Sequence, residues 1–272
     1  MRTAAKGDCR LMNKPLVIGC SLVVIGCFMP GPAGVSAQPS IALDHVVLAV
    51  NDLETTAARF RSFGFALKPG RPHTNGIRNE HVKFRDGTEL ELLTAPEARD
   101  DLTKRYRQHL SEGDGPAYLA LMVRGGPAPT DKPSYIFFGV RNQSPTDLPE
   151  HFAHANTAET LAAVWLAAAD FDRERALLER HGAKRDPRRI RVLNEDADVM
   201  RLDDSGAMYL LPERARVHKD RPIVGVTFRV SDAAAAARIL KMAGVAVSAA
   251  GSGGVLLAPA ATGGLWIELA PR

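Results

Sequence analysis

Cysteine is almost missing from this chain: only Cys9, Cys20 and Cys27 occur, all within the opening stretch of the 272 residues. A protein cut behind that stretch has no thiol, which excludes disulfides, a cysteine nucleophile and thiolate metal ligands. Charge of one sign is scarce too. The formal +4 comes mainly from Arg2, Lys6, Arg10 and Lys14 against Asp8, and the remainder of the chain is close to neutral. The electrostatic case for a nucleic-acid partner therefore falls away. Aromatic residues make up 6% of the chain, with two tryptophans, Trp165 and Trp266. No HExxH and no G-x-S-x-G occurs, and the "GSGG" at Gly251 lacks the strand and helix of a phosphate loop.

The one long apolar run, Leu16 to Met29, is shorter than the roughly 20 residues a membrane span needs. It follows a basic flank and precedes a Pro/Gly stretch ending in Val35-Ser36-Ala37, the layout of an export signal over residues 1–37. The expected mature protein begins near Gln38, is periplasmic or secreted, and has no stable membrane span. A lipid anchor at Cys27 is the alternative, because Val24-Ile25-Gly26-Cys27 resembles a bacterial lipobox.

Over the whole chain, 45% apolar residues suit a globular protein with a sizeable core. Three segments repeat the same punctuation: Asp52 and Gly64, Asp170 and Gly182, and Asp232 and Gly244 are each twelve residues apart. An apolar run precedes each aspartate, a helix start lies at or beside it, and the glycine suits the left-handed residue that ends a helix. In the first copy Asn51 and Glu54 have capping-box spacing. Short extended runs follow, ending in "TELELLTA", "GAMYLLPE" and "GLWIELAP", so that Glu91, Tyr209 and Glu268 fall in one column. Each copy predicts a βαβββ module. A fourth, damaged copy over residues 116–155 has strand-like "AYLALMVR" and "SYIFFGV", but "GGPAPTDKP" stands where its helix should be.

The stretch "LDHVVLAVNDLETTAARF" with "DGTELELLTA" resembles the vicinal oxygen chelate superfamily, and the chain is most similar to its glyoxalase-like members. The resemblance implies an α+β fold of paired βαβββ modules, whose curved mixed sheets surround a concave site. Residues 41–155 form a first half with one good and one degenerate module, and residues 156–272 form a second half with two. It further implies a divalent metal held by a first-strand histidine and a last-strand glutamate. The matching positions are His45 and Glu91 in the first copy, Ala163 and Tyr209 in the next, Gly225 and Glu268 in the last, and Tyr118 in the damaged one.

Strand alternation supplies a separate reading of the faces. With Val46, Leu48, Val82, Leu90 and Leu92 turned to the core, His45, His81, Lys83, Glu89 and Glu91 share the open side. His45, His81 and Glu91 are candidate metal ligands, and Glu91 is alternatively a general base. Half-buried strand histidines are also often simply hydrogen-bonded, and glutamates there solvated. His151 and His154 are loop residues that could complete the same site, although loop histidines are more often merely exposed. The later copies place Trp165, Tyr209, Thr227, Arg229, Trp266 and Glu268 on their open face. Of these, Trp165, Tyr209, Arg229, Trp266 and Glu268 would bind a small, partly apolar anion, unless the tryptophans only fill space between sheets. The expectation is a small-molecule protein with metal-dependent lyase, isomerase or dioxygenase chemistry, the alternative a non-catalytic sequestration protein. Homodimer formation is left open.

Overall fold

Each module earns its shape from the same local signals. The computed structural model describes residues 39–203 and 205–272. The first module runs β1 (Ser40–Ala49), α1 (Leu53–Ser62), β2 (Lys68–Pro69), β3 (Arg78–Lys83) and β4 (Glu89–Thr94). Asp52, rather than Asn51, caps α1: its carboxylate accepts the Thr55 amide at 2.9 Å, while Asn51 hydrogen-bonds Asp114. Leu53, Ala57 and Phe60 give α1 a buried stripe, and Gly64 ends the turn at φ +85°.

Helix α2 (Asp101–Ser111) then leads into β5 (Gly115–Arg124) and β6 (Ile136–Phe138). These two strands are what survives of the damaged module. The proline-rich stretch between them carries no helix. The third module comprises β7 (Ala158–Ala168), α3 (Asp172–Arg180), β8 (Lys184–Val192), β9 (Glu195–Arg201) and β10 (Ala207–Pro212). The fourth comprises β11 (Ile223–Val230), α4 (Ala233–Met242), β12 (Val247–Ala249), β13 (Val255–Leu257), a short α5 (Pro259–Thr262) and β14 (Trp266–Pro271). Asp232 caps α4 through the Ala235 amide, whereas α3 starts at Phe171 without a side-chain cap, so Asp170 does not play the part its spacing suggested. Gly182 and Gly244 both adopt the left-handed conformation, at φ +81° and +69°.

A six-stranded sheet in the order β2-β3-β4-β1-β5-β6 and an eight-stranded sheet in the order β12-β13-β14-β11-β7-β10-β9-β8 result. One rule generates both. The first and last strands of every module pair in parallel, β1 with β4, β5 with β6, β7 with β10 and β11 with β14. First strands then meet antiparallel, β1 with β5 and β7 with β11. The first sheet is two strands smaller because the damaged module lost its middle strands.

The principal core lies on the helix-bearing faces and is continuous between the halves, joining Leu48, Phe60, Phe84 and Leu90 to Val164, Leu166, Phe228 and Leu269. Burying such side chains stabilises by about 1.5–3 kcal/mol each. The opposite faces have smaller apolar clusters of their own. On the first sheet α2 lays Tyr106 and Leu110 against Val47, Ala49 and Leu93. On the second, Trp165 and Tyr209 pack with Ala163, Val199 and Leu211. Among the described residues no helix is long and apolar enough to cross a membrane. The leader and Cys27 lie outside the described residues.

Candidate functional site

The chemistry of the first sheet begins with a bulge. Leu43 pairs with Leu121 and His45 with Ala120, so Asp44 is an extra residue in β1. Ile41 and Leu43 face the principal core before it, Val46 and Leu48 after it. Two neighbours, Asp44 and His45, are thereby left on the concave side together. The Nδ1 of His45 lies 3.2 Å from the fully buried Asp44 carboxylate, and its Nε2 lies 3.7 Å from Glu91 Oε2. Phe137 packs edge-on against the imidazole at 5.3 Å. Asn79 holds the other oxygen of Glu91, Oε1, with a 2.6 Å hydrogen bond.

A second pair sits beside the first. His81 Nδ1 is 3.2 Å from Glu89 Oε1, both side chains nearly buried. Burial opposes a charge on Glu89, yet the hydrogen bond and charge of His81, with His45 and Lys83, outweigh it and hold the carboxyl below its ordinary range. Burial likewise pulls against protonation of His45, but the adjacent Asp44 carboxylate, with Glu91 and Glu89, raises its pKa above the usual value. Lys83 does not face open solvent. Its ammonium is fully buried against Asp147, at 2.8 and 2.9 Å, and the Asn142 carbonyl. Burial works against ionisation of Asp147, and Lys68 and Lys83 more than reverse that, lowering its pKa. The segment carrying these groups crosses one end of the concave face, with Arg141 hydrogen-bonded to the carbonyls of Leu43 and Asp86. A cleft of about 660 Å³ opens beside Asn79 and His81, with Arg71 and Arg141 along it.

Of the three expected metal ligands, His45 and Glu91 come together and His81 does not join them. His45 is on β1 and His81 on β3, flanking β4 on opposite sides, His45 level with Glu89 and His81 with Glu91, so their strands are about 9–10 Å apart, two strand spacings, and the residues are further offset along them. Each imidazole takes its own carboxylate instead. Among the described residues no group of three His, Cys, Asp or Glu side chains could hold an ion. Two donors fall short of the three or four protein ligands of a resident divalent site, so the residues present do not fit the metal that the fold implies. His154 is also spoken for: its Nδ1 accepts the Ala66 amide at 3.0 Å and its Nε2 donates to the Lys83 carbonyl at 2.9 Å, deep in the structure. His151 accepts the Leu148 amide in the adjoining turn.

The second sheet repeats the bulge at Ala162, where Thr227 pairs with Ala163 and Phe228 with Leu161. At the two first-strand ligand positions stand Ala163 and Gly225, which offer no donor. A methyl group at Gly225 would lie 2.4 Å from the Trp165 ring, so the indole occupies that space. Trp165 stacks on Tyr209 with centroids 6.5 Å apart and donates its N–H to Thr227 at 2.9 Å; the Thr227 hydroxyl donates to Glu268 at 2.7 Å. Burial, with the Glu268 charge, raises the Tyr209 pKa. Arg229 donates to the Pro271 carbonyl at 2.7 Å. The arginine that lines the cleft here, about 460 Å³, is Arg191.

Residues 43–207 match the sequence model of the glyoxalase-like domain. The chain belongs to the glyoxalase-like domain family. This glyoxalase-like protein also shares its fold with solved structures of low sequence identity. A hypothetical protein from Staphylococcus aureus superposes with a TM-score of 0.55 at 11% identity, over 85% of this chain and 100% of that one. A triple mutant of 4-hydroxymandelate synthase from Streptomyces coelicolor gives 0.54 at 14% identity, over 86% and 93%. A xylose isomerase-like TIM barrel/4-hydroxyphenylpyruvate dioxygenase fusion protein gives 0.53 at 14%, over 89% of this chain and 51% of that one. No curated protein matches the chain. The α+β fold of paired modules expected from the sequence is the one observed, and it is the fold of the vicinal oxygen chelate superfamily.

Asp44 and Asn79 were not singled out from the sequence. Asn79 has the strand parity of His81 and was available to that argument. Asp44 was not, because only the pairing of β1 with β5 creates the bulge.

Proposed function

We propose that this glyoxalase-like protein is an exported enzyme that binds a small hydroxy- or oxo-carboxylic acid on its first concave face and moves a proton on it. The observation that supports this reading is the line Asp44, His45, Glu91, with imidazole Nε2 and carboxylate Oε2 only 3.7 Å apart. Asp44 at Nδ1 favours the protonated imidazole, so His45 can donate a proton to a substrate oxygen from Nε2. Glu91 Oε2, its partner oxygen pinned by Asn79, can accept a proton from the adjacent carbon. A matched acid and base of this kind contribute about 10²–10⁴-fold to rate. Arg71, along the neighbouring cleft, suits the substrate carboxylate. The names of the structural neighbours, built on 4-hydroxymandelate and 4-hydroxyphenylpyruvate, support the substrate class. Export rests on residues 1–37, whose basic flank, apolar run and small-residue end are read from the sequence.

The test is deuterium wash-in across a panel, at C2 of 2-hydroxy acids and at C3 of 2-oxo acids, in D₂O, read by proton NMR. The purified protein is expected to catalyse exchange on at least one member, with losses of about 10²-fold or more in His45→Gln and Glu91→Gln. No exchange across the panel, or exchange unchanged in both variants, overturns the reading. A stoichiometric divalent ion in the purified protein that both variants lose transfers the two residues to a metal centre.

A further inference from the structure

The second concave face contains an acid without a counter-charge. Glu268 is 8% exposed, and Oε2 is its hydrogen-bonded oxygen, accepting from Thr227. No lysine, arginine or histidine among the described residues forms an ion pair with it. The nearby arginines are committed elsewhere, Arg229 to the Pro271 carbonyl and Arg191 to Asp196 at 3.2 Å. Oε1 makes no hydrogen bond and stays open to the cleft that Glu268 lines. A carboxylate this deep is costly unless something of opposite charge answers it.

The walls of the cleft say what that something is. Trp165, Trp266, Leu193 and Leu256 line it around Glu268, and Arg191, paired with Asp196, also lines it; the apolar and π-faced part prefers a weakly hydrated cation to an ammonium-sized point charge or an anion. The volume of about 460 Å³ falls in the range of roughly 300–1,000 Å³ typical of small-molecule sites. Leu193, at the tip of the β8–β9 hairpin, is held at φ +52°. A leucine there is strained, and the strain places an apolar side chain at the lip where glycine would ordinarily serve.

We propose that the second concave face binds a small, flat organic cation, an amidinium on an apolar body. Its N–H group donates to Glu268 Oε1 and its body lies against Trp266 and Leu256. The sign of charge is opposite to that expected from Arg229, because that guanidinium is engaged by the Pro271 carbonyl. The site rests on the second sheet alone, so it stands or falls separately from proton transfer on the first.

Both tryptophans of the protein line this cleft, which makes intrinsic fluorescence a direct probe. The purified protein is titrated with benzamidinium, benzamide and benzoate, three rings of one size and different charge. Benzamidinium is expected to give a saturable change, with the neutral and anionic rings about tenfold weaker or more. Glu268→Gln, which keeps an acceptor for the Thr227 hydroxyl, is expected to lose about tenfold or more of the benzamidinium affinity with an unchanged melting temperature. Trp266→Leu, followed by calorimetry, is expected to weaken binding as well. Benzoate or benzamide binding as well as benzamidinium overturns the proposal. So does an unchanged affinity in both variants, or no saturation within the millimolar range.

Discussion

The two concave faces use one backbone device for two ends. Each has a bulge in the first strand of its leading module, at Asp44 in β1 and at Ala162 in β7, and each bulge turns two adjacent residues to the same side. In the first sheet those residues are an acid and an imidazole. In the second they are two alanines, and the room they leave is taken by the Trp165 indole. Duplicated folds thus carry geometry that is conserved by construction while its chemical content is free to differ. Polar groups on the first face are paired in tight His–carboxylate couples, and the second keeps one carboxylate behind an aromatic wall.

The comparison breaks most sharply at Glu91. Glu91→Gln is expected to remove about 10²–10⁴-fold of α-proton exchange on the first face, while benzamidinium binding on the second is untouched. Loss of both together would show that the faces are not independent. Next comes Trp165. It is fully buried, so Trp165→Ala is expected to cost about 3–5 kcal/mol in urea unfolding, and the half-buried Trp266 distinctly less. Equal costs would mean that Trp165 is not the filler of the second concavity. Gly225→Ala tests the same space from the other side. A new methyl group against the indole is expected to destabilise by about 1–3 kcal/mol through overpacking, and a neutral effect would show that the ring moves freely.

Smaller effects are read from pH. His45 titrates above its ordinary value in the folded protein. It therefore adds stability below the unfolded value of about 6.5, and that contribution is lost as pH rises through the raised value. Asp44→Asn is expected to lower the His45 pKa, followed by imidazole NMR, and to flatten the loss of stability on the alkaline side. An unmoved resonance would detach Asp44 from the site. On α2, burial and the neighbouring Arg221 hold His109 down at about 4, where its Nε2 serves the Gly115 carbonyl. The unfolded chain takes up that proton from about 6.5 downward. Stability is therefore expected to fall as pH drops from 6.5 to 4, and His109→Gln to flatten that slope in pH-dependent urea midpoints.

Much of the architecture is legible in local punctuation. Asp52, Gly64, Gly182, Asp232 and Gly244 mark helix ends because a cap and a left-handed residue are needs of the backbone itself. Strand parity put His45, His81, Glu89 and Glu91 on one face because side chains alternate however a sheet is later assembled. Spacing misled where local alternatives competed: Asn51 had the capping-box distance, yet Asp52 took the cap and Asn51 bonded Asp114. His154, exposed by sequence logic, became a buried link between Ala66 and Lys83.

The chain alone determined the modules, their order and the shared face of His45, His81, Glu89 and Glu91, since these follow from hydrogen-bonding needs and periodicities of a few residues. Tertiary structure decided which of those side chains meet. The bulge that joins Asp44 to His45 needs β5 alongside, the separation of His45 from His81 needs β4 between them, and the isolation of Glu268 needs Arg229 to find the Pro271 carbonyl. Each is a distance between groups far apart in sequence, and strand pairing sets such distances, whereas composition does not.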